Sequence, residues 1–160
     1  MRFRPLFLIN IFLTEVVMDC SNGNAVVERV VRAQRVGEAG RIDCLPRHFG
    51  VMGIVAEHAT YGTLARLSEN YRGGYWHYYE LDNGGFYMAP DGDKPYLMIV
   101  EGNGYEGIVS PDAAGIIACA MVYSHLSFRW DGAQFVRAFH QLREFIFMHG
   151  EHTDILQALD

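Results

Sequence analysis

Apolar residues recur along the chain with two different periods, and the switches between them divide it into elements. In residues 25–36 apolar side chains stand at 26, 27, 30, 31 and 33, with Glu28, Arg29, Arg32 and Arg35 between them. That spacing predicts a helix stopped by Gly37. Residues 41–50, RIDCLPRHFG, read as a short strand running into a turn at Pro46. Residues 54–71 carry apolar side chains at 54, 55, 61, 64 and 67, a second helical face weakened by Gly62 and ended by Gly73-Gly74.

The period then changes to that of strands. Residues 75–81, YWHYYEL, are dense in aromatic rings, which favour a pleated, half-buried surface. Asp82-Asn83-Gly84-Gly85 separates them from residues 86–89, and Asn-Gly between two such runs predicts a hairpin whose two central residues take positive φ. Residues 96–100, YLMIV, are continuously apolar and read as an interior strand covered on both faces. Gly102-Asn103-Gly104 turns the chain into a fourth strand over residues 105–109.

Helices follow. Ser110-Pro111-Asp112 is a helix start: Ser110 caps free N–H groups, Pro111 presets the first turn and Asp112 meets the positive end of the dipole. The segment after it, AAGIIACAMVYSHL, is apolar nearly all round, as expected of a central buried helix. Residues 131–149 give an amphipathic helix with Phe135, Phe139, Leu142 and Ile146 on one stripe, broken by Gly150 before a short helix over residues 153–159. Strands grouped between helices, without βαβ repeats, predict an α+β fold: a single compact domain with a small antiparallel hairpin meander packed against several helices.

The first seventeen residues look unlike the rest. Arg2 and Arg4 precede an apolar run over residues 6–13, but the run is interrupted by Asn10, lacks a small-x-small cleavage site and is far below the ~20 residues that span a bilayer. Residues 1–17 are therefore expected to be an N-terminal extension, and residues 18–160 the domain.

With 160 residues, half of them hydrophobic, the chain can build a core without disulfides or a structural metal. Its three cysteines, Cys20, Cys44 and Cys119, form no C-x-x-C pair, which points to free thiols in a reducing compartment, the cytoplasm. The net charge of −6 is uneven: residues 1–79 carry +2 and residues 80–160 carry −8. That balance argues against direct nucleic-acid binding, which needs a basic footprint.

Several motifs invite a chemical reading. Gly102-Asn103-Gly104-Tyr105-Glu106-Gly107 matches the dinucleotide fingerprint, yet no helix opens within it, so a hairpin turn is expected instead. His140, His149, Glu151 and His152 lack the spacing of a metal motif, and the histidines read as exposed helix-end groups. No nucleophile elbow exists, Cys119 lies in an apolar run, and Cys44 has no motif around it. The expectation is no catalytic, cofactor or metal residue. The rings Tyr75, Trp76, Tyr78, Tyr79, Phe86, Tyr87 and Tyr96 lack a basic groove beside them, so packing within the sheet is their expected role.

Combined in order, these segments resemble the ArdB/KlcA antirestriction family. The likeness rests on Leu45-Pro46-x-His48-Phe49-Gly50, Tyr71-x-Gly73-Gly74-Tyr75-Trp76, Tyr78-Tyr79-Glu80-Leu81, Asn83-Gly84-Gly85-Phe86-Tyr87-Met88-Ala89-Pro90, Gly102-Asn103-Gly104-Tyr105, Asp112-Ala113-Ala114-Gly115-Ile116 and His140-x-Leu142-Arg143. It runs from about residue 41 onward. The chain departs from the family pattern at His77, where an acid is usual, at Pro111, which replaces a small residue, and at Gly150, which replaces a proline. The resemblance implies a compact α+β protein, not an enzyme, that protects incoming plasmid, phage or mobile-element DNA from type I restriction enzymes.

Charge then constrains the mechanism. Imitating ten base pairs of B-DNA takes about 20 net negative charges along roughly 34 Å, whereas this chain has 19 acids against 13 cations. Contact with a protein, either the host type I restriction enzyme or an associated host protein, is the expected mode. The expected surface is Glu144, Glu151, Asp154 and Asp160, helped by exposed hairpin aromatics Tyr79 and Tyr87. The pattern sets no oligomeric state. The alternative is a small-ligand or enzymatic domain with an aromatic pocket on the central sheet.

Overall fold

The computed structural model describes residues 30–129 and 132–160, together with the backbone of residues 16–17 and 26–27. The apolar run over residues 6–13 and Cys20 lie outside the described residues. The chain divides into two units, Met1–Val30 and Val31–Asp160. In the first, β1 (Val16–Val17) pairs antiparallel with β2 (Val26–Val27), Val16 opposite Val27.

The second unit opens on β3 (Ala33–Arg35), not on a helix. The helix predicted over residues 25–36 does not form: within that span residues 26–27 and 33–35 are strands. Its apolar positions are mostly valines, whose stiff χ1 suits strands better than helices. β3 pairs antiparallel with β4 (Trp76–Leu81), Ala33 opposite Leu81, and β4 pairs with β5 (Phe86–Pro90), Trp76 opposite Pro90. The turn between β4 and β5 is a hairpin, but Gly84 alone takes positive φ, at +86°. Gly84 N–H donates to Leu81 O (2.9 Å) and Leu81 N–H to Gly85 O (2.9 Å). That is the three-residue, glycine-bulge form of hairpin loop rather than the two-residue form expected.

Residues 41–50 hold the second correction: they belong to α1 (Glu38–Phe49). Pro46 sits inside this helix. Proline has no N–H to offer the carbonyl of Ile42, and the Ile42 side chain faces solvent. Cys44, Leu45 and Phe49 point inward, and Gly50, at φ +56°, ends the helix. A 3-10 turn, Gly50–Met52, leads into α2 (Gly53–Leu67). The inward face of α2 is Gly53, Ala56, Thr60, Thr63, Leu64 and Leu67, so Ile54 and Val55, expected on the apolar face, stand exposed. The helix stops at Ser68, whose hydroxyl donates to Leu97 O (2.8 Å), well before Gly73-Gly74.

β6 (Tyr96–Val100) and β7 (Tyr105–Val109) form a separate two-stranded hairpin. The meander is therefore split into two sheets. Of the YLMIV run only Met98 is buried, with Leu97 and Ile99 each 40% exposed, so this strand is not covered on both faces. The G-x-G-x-x-G segment forms the turn between them, as expected, with Gly104 at φ +74°.

α3 (Pro111–Ser127) is the central helix, buried on nearly every side among β5, α2 and the helices that follow. Gly115, Cys119 and Tyr123, successive turns of one face, lie along β5. A Cβ on Gly115 would stand 2.4 Å from Met88 O. The Cys119 thiol lies 3.5 Å from that same carbonyl, and the Tyr123 hydroxyl donates to Phe86 O (3.0 Å). α4 (Ala133–Ile146) and α5 (His152–Leu159) complete the fold, burying Phe135, Ala138, Leu142, Ile146, Ile155 and Ala158. Among the described residues, no helix is long and apolar enough to cross a membrane.

Candidate interaction surface and the polar clusters around it

The helix start at Ser110 is built as its sequence indicates, with one addition. Ser110 Oγ accepts from Ala113 N–H (3.1 Å) and donates to the carboxylate of Glu151, which also accepts Ser110 N–H (2.9 Å). Glu151 is thus a clamp between the α4–α5 connection and the start of α3, not a free surface acid. His149 continues the cluster. Its Nδ1 accepts Glu151 N–H (3.0 Å), so the ring hydrogen sits on Nε2 and donates to Asp112 (3.1 Å). Asp112 also accepts the Tyr87 hydroxyl (3.0 Å). His149 was expected as an exposed helix-end group and is instead half-buried, with both ring nitrogens engaged. It offers no nitrogen to Ser110, so Ser, His and Asp converge here without the order a nucleophile needs.

The other expected contact residues divide in two. Glu144 is exposed on α4 and accepts Asn83 Nδ2–H (2.9 Å), while Asp160 is exposed beyond α5. Asp154 is half-buried and accepts the Tyr105 hydroxyl (3.2 Å). Tyr87 is 1% exposed, which corrects its placement on the surface. Tyr79 is half-buried and stacks on Tyr87, with ring centroids 4.8 Å apart. Burial, then the Asp112 carboxylate, push the Tyr87 hydroxyl far above its ordinary pKa.

The remaining sheet aromatics are packed, as expected for all but the half-exposed Tyr75. Tyr78 and Tyr61 both donate to Glu57, Trp76 Nε1–H donates to the Tyr71 hydroxyl (2.9 Å), and the Arg41 guanidinium lies 3.9 Å from the Tyr78 ring centroid. His77 contacts Asp91 (2.6 Å) across the hairpin. Surface cavities open away from these rings. One, of about 360 Å³, lies between α4 and α5 over Phe139, Ile146, Leu156 and Leu159, with Arg143 and Asp160 at its edges. A second shares Phe139 and Leu159 with it and extends to Met121 and the 88%-exposed Phe128.

A third cluster was not legible in the sequence. Cys44 Sγ lies 3.7 Å and His48 Nε2 3.3 Å from the same oxygen of Glu80, and Arg47 holds that oxygen at 3.1 Å. Cys44 and His48 are four residues apart, so once α1 is seen as a helix they share a face. Reading residues 41–50 as a strand hid that spacing, and Glu80 arrives from β4. Burial and the neighbouring Glu80 push the Cys44 thiol up to about 12. Burial holds His48 below its ordinary value in spite of Glu80, so its contact is a hydrogen bond from neutral imidazole. Cys119 is also pushed up to about 12, by burial. Neither thiol is poised as a nucleophile.

A three-stranded antiparallel sheet and a separate hairpin packed around a buried central helix define an α+β protein, and the relatives of the chain place it in a family. The sequence profile of the family described as "Antirestriction protein" matches residues 69–160, and the chain belongs to that family.

Within it, the chain is 41% identical over 138 residues to an antirestriction protein KlcA of Escherichia coli, covering 83% of this chain and 97% of that one. A second Escherichia coli KlcA is 38% identical over 135 residues, covering 80% and 92%. A solved structure superposes with a TM-score of 0.77 at 39% identity, covering 82% of this chain and 96% of the other. It comes from work on the KlcA and ArdB proteins describing a novel fold and antirestriction activity against type I DNA restriction systems in vivo but not in vitro. The ArdB/KlcA resemblance and the α+β fold are thereby established.

Proposed function

We propose that this protein protects incoming plasmid, phage or mobile-element DNA from type I restriction by touching a protein in the cytoplasm, without catalysis and without imitating DNA. The observation that carries the reading is the 41% identity to KlcA over nearly the whole of that relative. The structure supports contact with protein through the α4–α5 face. There the apolar floor of Phe139, Leu156 and Leu159 is flanked by Asp160, with Glu144 exposed on the same helix as Phe139. An apolar centre with a charged rim is the anatomy of a protein–protein surface. Glu151 and Asp154 serve the scaffold, accepting from Ser110 N–H and the Tyr105 hydroxyl. The activity of the solved relatives in cells but not with isolated components favours a partner present in the cell beyond enzyme and DNA alone.

The test is the plating efficiency of unmodified phage on a type I-restricting host. Protection is expected with the wild-type protein and is lost in a Glu144→Lys, Asp160→Lys double variant whose unfolding midpoint matches wild type. If that variant still protects, the contact surface lies elsewhere. If the wild-type protein gives no protection, the functional reading fails altogether.

A further inference from the structure

Cys44 and His48 present Sγ and Nε2 from one face of α1, and Glu80 reaches the same point from β4. These three ligand atoms lie within 4.8 Å of one another, and they form the one such grouping of Cys, His and acid side chains among the described residues. The cluster is independent of the α4–α5 face and of the antirestriction reading.

We infer that Cys44, His48 and Glu80 form a three-ligand seat for a borderline-soft divalent transition-metal ion of the zinc type, with a fourth position open to water. The distances carry the inference. Around a tetrahedral ion with bonds of about 2.3 Å to sulfur, 2.0 Å to nitrogen and 2.1 Å to oxygen, the nitrogen and oxygen stand about 3.4 Å apart and the sulfur and oxygen about 3.6 Å. The observed separations are 3.3 Å and 3.7 Å. These two separations are already set to within about a tenth of an ångström. The donor set fits as well: thiolate and imidazole select zinc-type ions over magnesium or calcium. With the thiol proton released to solvent, one thiolate and one carboxylate balance the charge of a divalent ion.

The surroundings supply what such a seat requires. Cys44 is fully buried, His48 packs its ring 5.1 Å from Phe86, and Arg47 fixes the orientation of the Glu80 carboxylate. The Glu80 side chain keeps 36% of its surface exposed, leaving an entry path from solvent. Without an ion, the same atoms are held by hydrogen bonds to Glu80. With one, α1 and β4 become cross-linked.

The experiment uses the full chain, stripped with a chelator and titrated with Co(II). One equivalent is expected to produce intense tetrahedral ligand-field bands in the visible and a thiolate-to-Co(II) charge-transfer band in the near ultraviolet, both erased by one equivalent of Zn(II). Glu80→Gln and His48→Gln, which leave the buried thiol in place, are expected to weaken Co(II) binding about tenfold or more. Cys44→Ser removes the charge-transfer band. Absence of that band at stoichiometric Co(II) overturns the site, as does Co(II) binding without it, which places the ion on exposed histidines. Unchanged affinity in Glu80→Gln also overturns it, by removing the carboxylate from the ligand set, and a band that survives Cys44→Ser overturns it by placing the thiolate on another cysteine.

Discussion

Replacing Gly115 by alanine tests the closest approach in the fold. The added methyl carbon would stand 2.4 Å from Met88 O, 2.5 Å from Ala89 Cα and 2.7 Å from Ala89 Cβ. A carbon–oxygen contact relaxes only beyond about 3.2 Å, so α3 and β5 must part by roughly 0.8 Å. The obstacles are backbone atoms of a paired strand, which cannot swing aside as a flexible side chain would. Overpacking of this kind costs about 1–3 kcal/mol, and the rigid neighbours place it near 3. Alanine's better helix propensity offsets about 1 kcal/mol. The net loss is about 2 kcal/mol, a fall of roughly 4–8 °C in thermal midpoint for a chain of this size. Gly62→Ala is the control, because its Cβ meets nothing within 4 Å on the exposed side of α2. There the propensity gain stands alone and the midpoint rises by roughly 2–4 °C. Urea and thermal unfolding of the two variants beside wild type measure both signs. If Gly115→Ala unfolds within about 0.5 kcal/mol of wild type, the tight seat of α3 on β5 is wrong.

Two further outcomes follow from groups already placed. Ser110→Ala removes the α3 cap and one hydrogen bond to the Glu151 carboxylate, and is expected to lower stability by about 2 kcal/mol in urea unfolding; equal midpoints for Ser110→Ala and Ser110→Thr would refute the capping role. Alkaline stability follows from Cys119, which burial pushes from 9.0 up to about 12. The unfolded chain releases this proton near pH 9 while the folded one keeps it. Stability is therefore intact below pH 9 and falls as pH rises from 9 to 12, by about 1.4 kcal/mol per pH unit from this thiol alone. Thermal midpoints between pH 8 and 11 check this, and a flat profile refutes it.

Features set by near neighbours were legible in the sequence. The Ser110-Pro111-Asp112 start, the all-apolar α3 and the Asn83-Gly84 turn each carry their signal within a few residues, and each forms where expected. Features set by tertiary partners were not. Residues 25–36 have helical spacing, but valine's strand preference and the free edge of β4 decide otherwise. Pro46 suggested a turn, yet its one lost hydrogen bond falls on the solvent side of α1. The YLMIV run promised burial that a two-stranded hairpin cannot supply. At the proposed contact face, charge alone could not separate Glu144, which remains exposed, from Glu151, whose partner Ser110 lies 41 positions away. Nor could it reveal that Cys44 and His48 meet Glu80.

The two Asn-Gly turns share one further property. Asn83 and Asn103 each accept the N–H two residues on (3.0 Å in both) and donate Nδ2–H to a helix carbonyl, Gln141 O at 2.9 Å and Gln157 O at 3.0 Å. Asn-Gly is also the dipeptide in which the glycine nitrogen most readily attacks the asparagine side chain, expelling ammonia. Here both attacking nitrogens are held, Gly84 N–H by Leu81 O and Gly104 N–H by Val100 O, each at 2.9 Å. The fold that uses these turns as clasps thereby shields them from chemical ageing. Deamidation at either one keeps a clock of how often that hairpin comes loose from its helix.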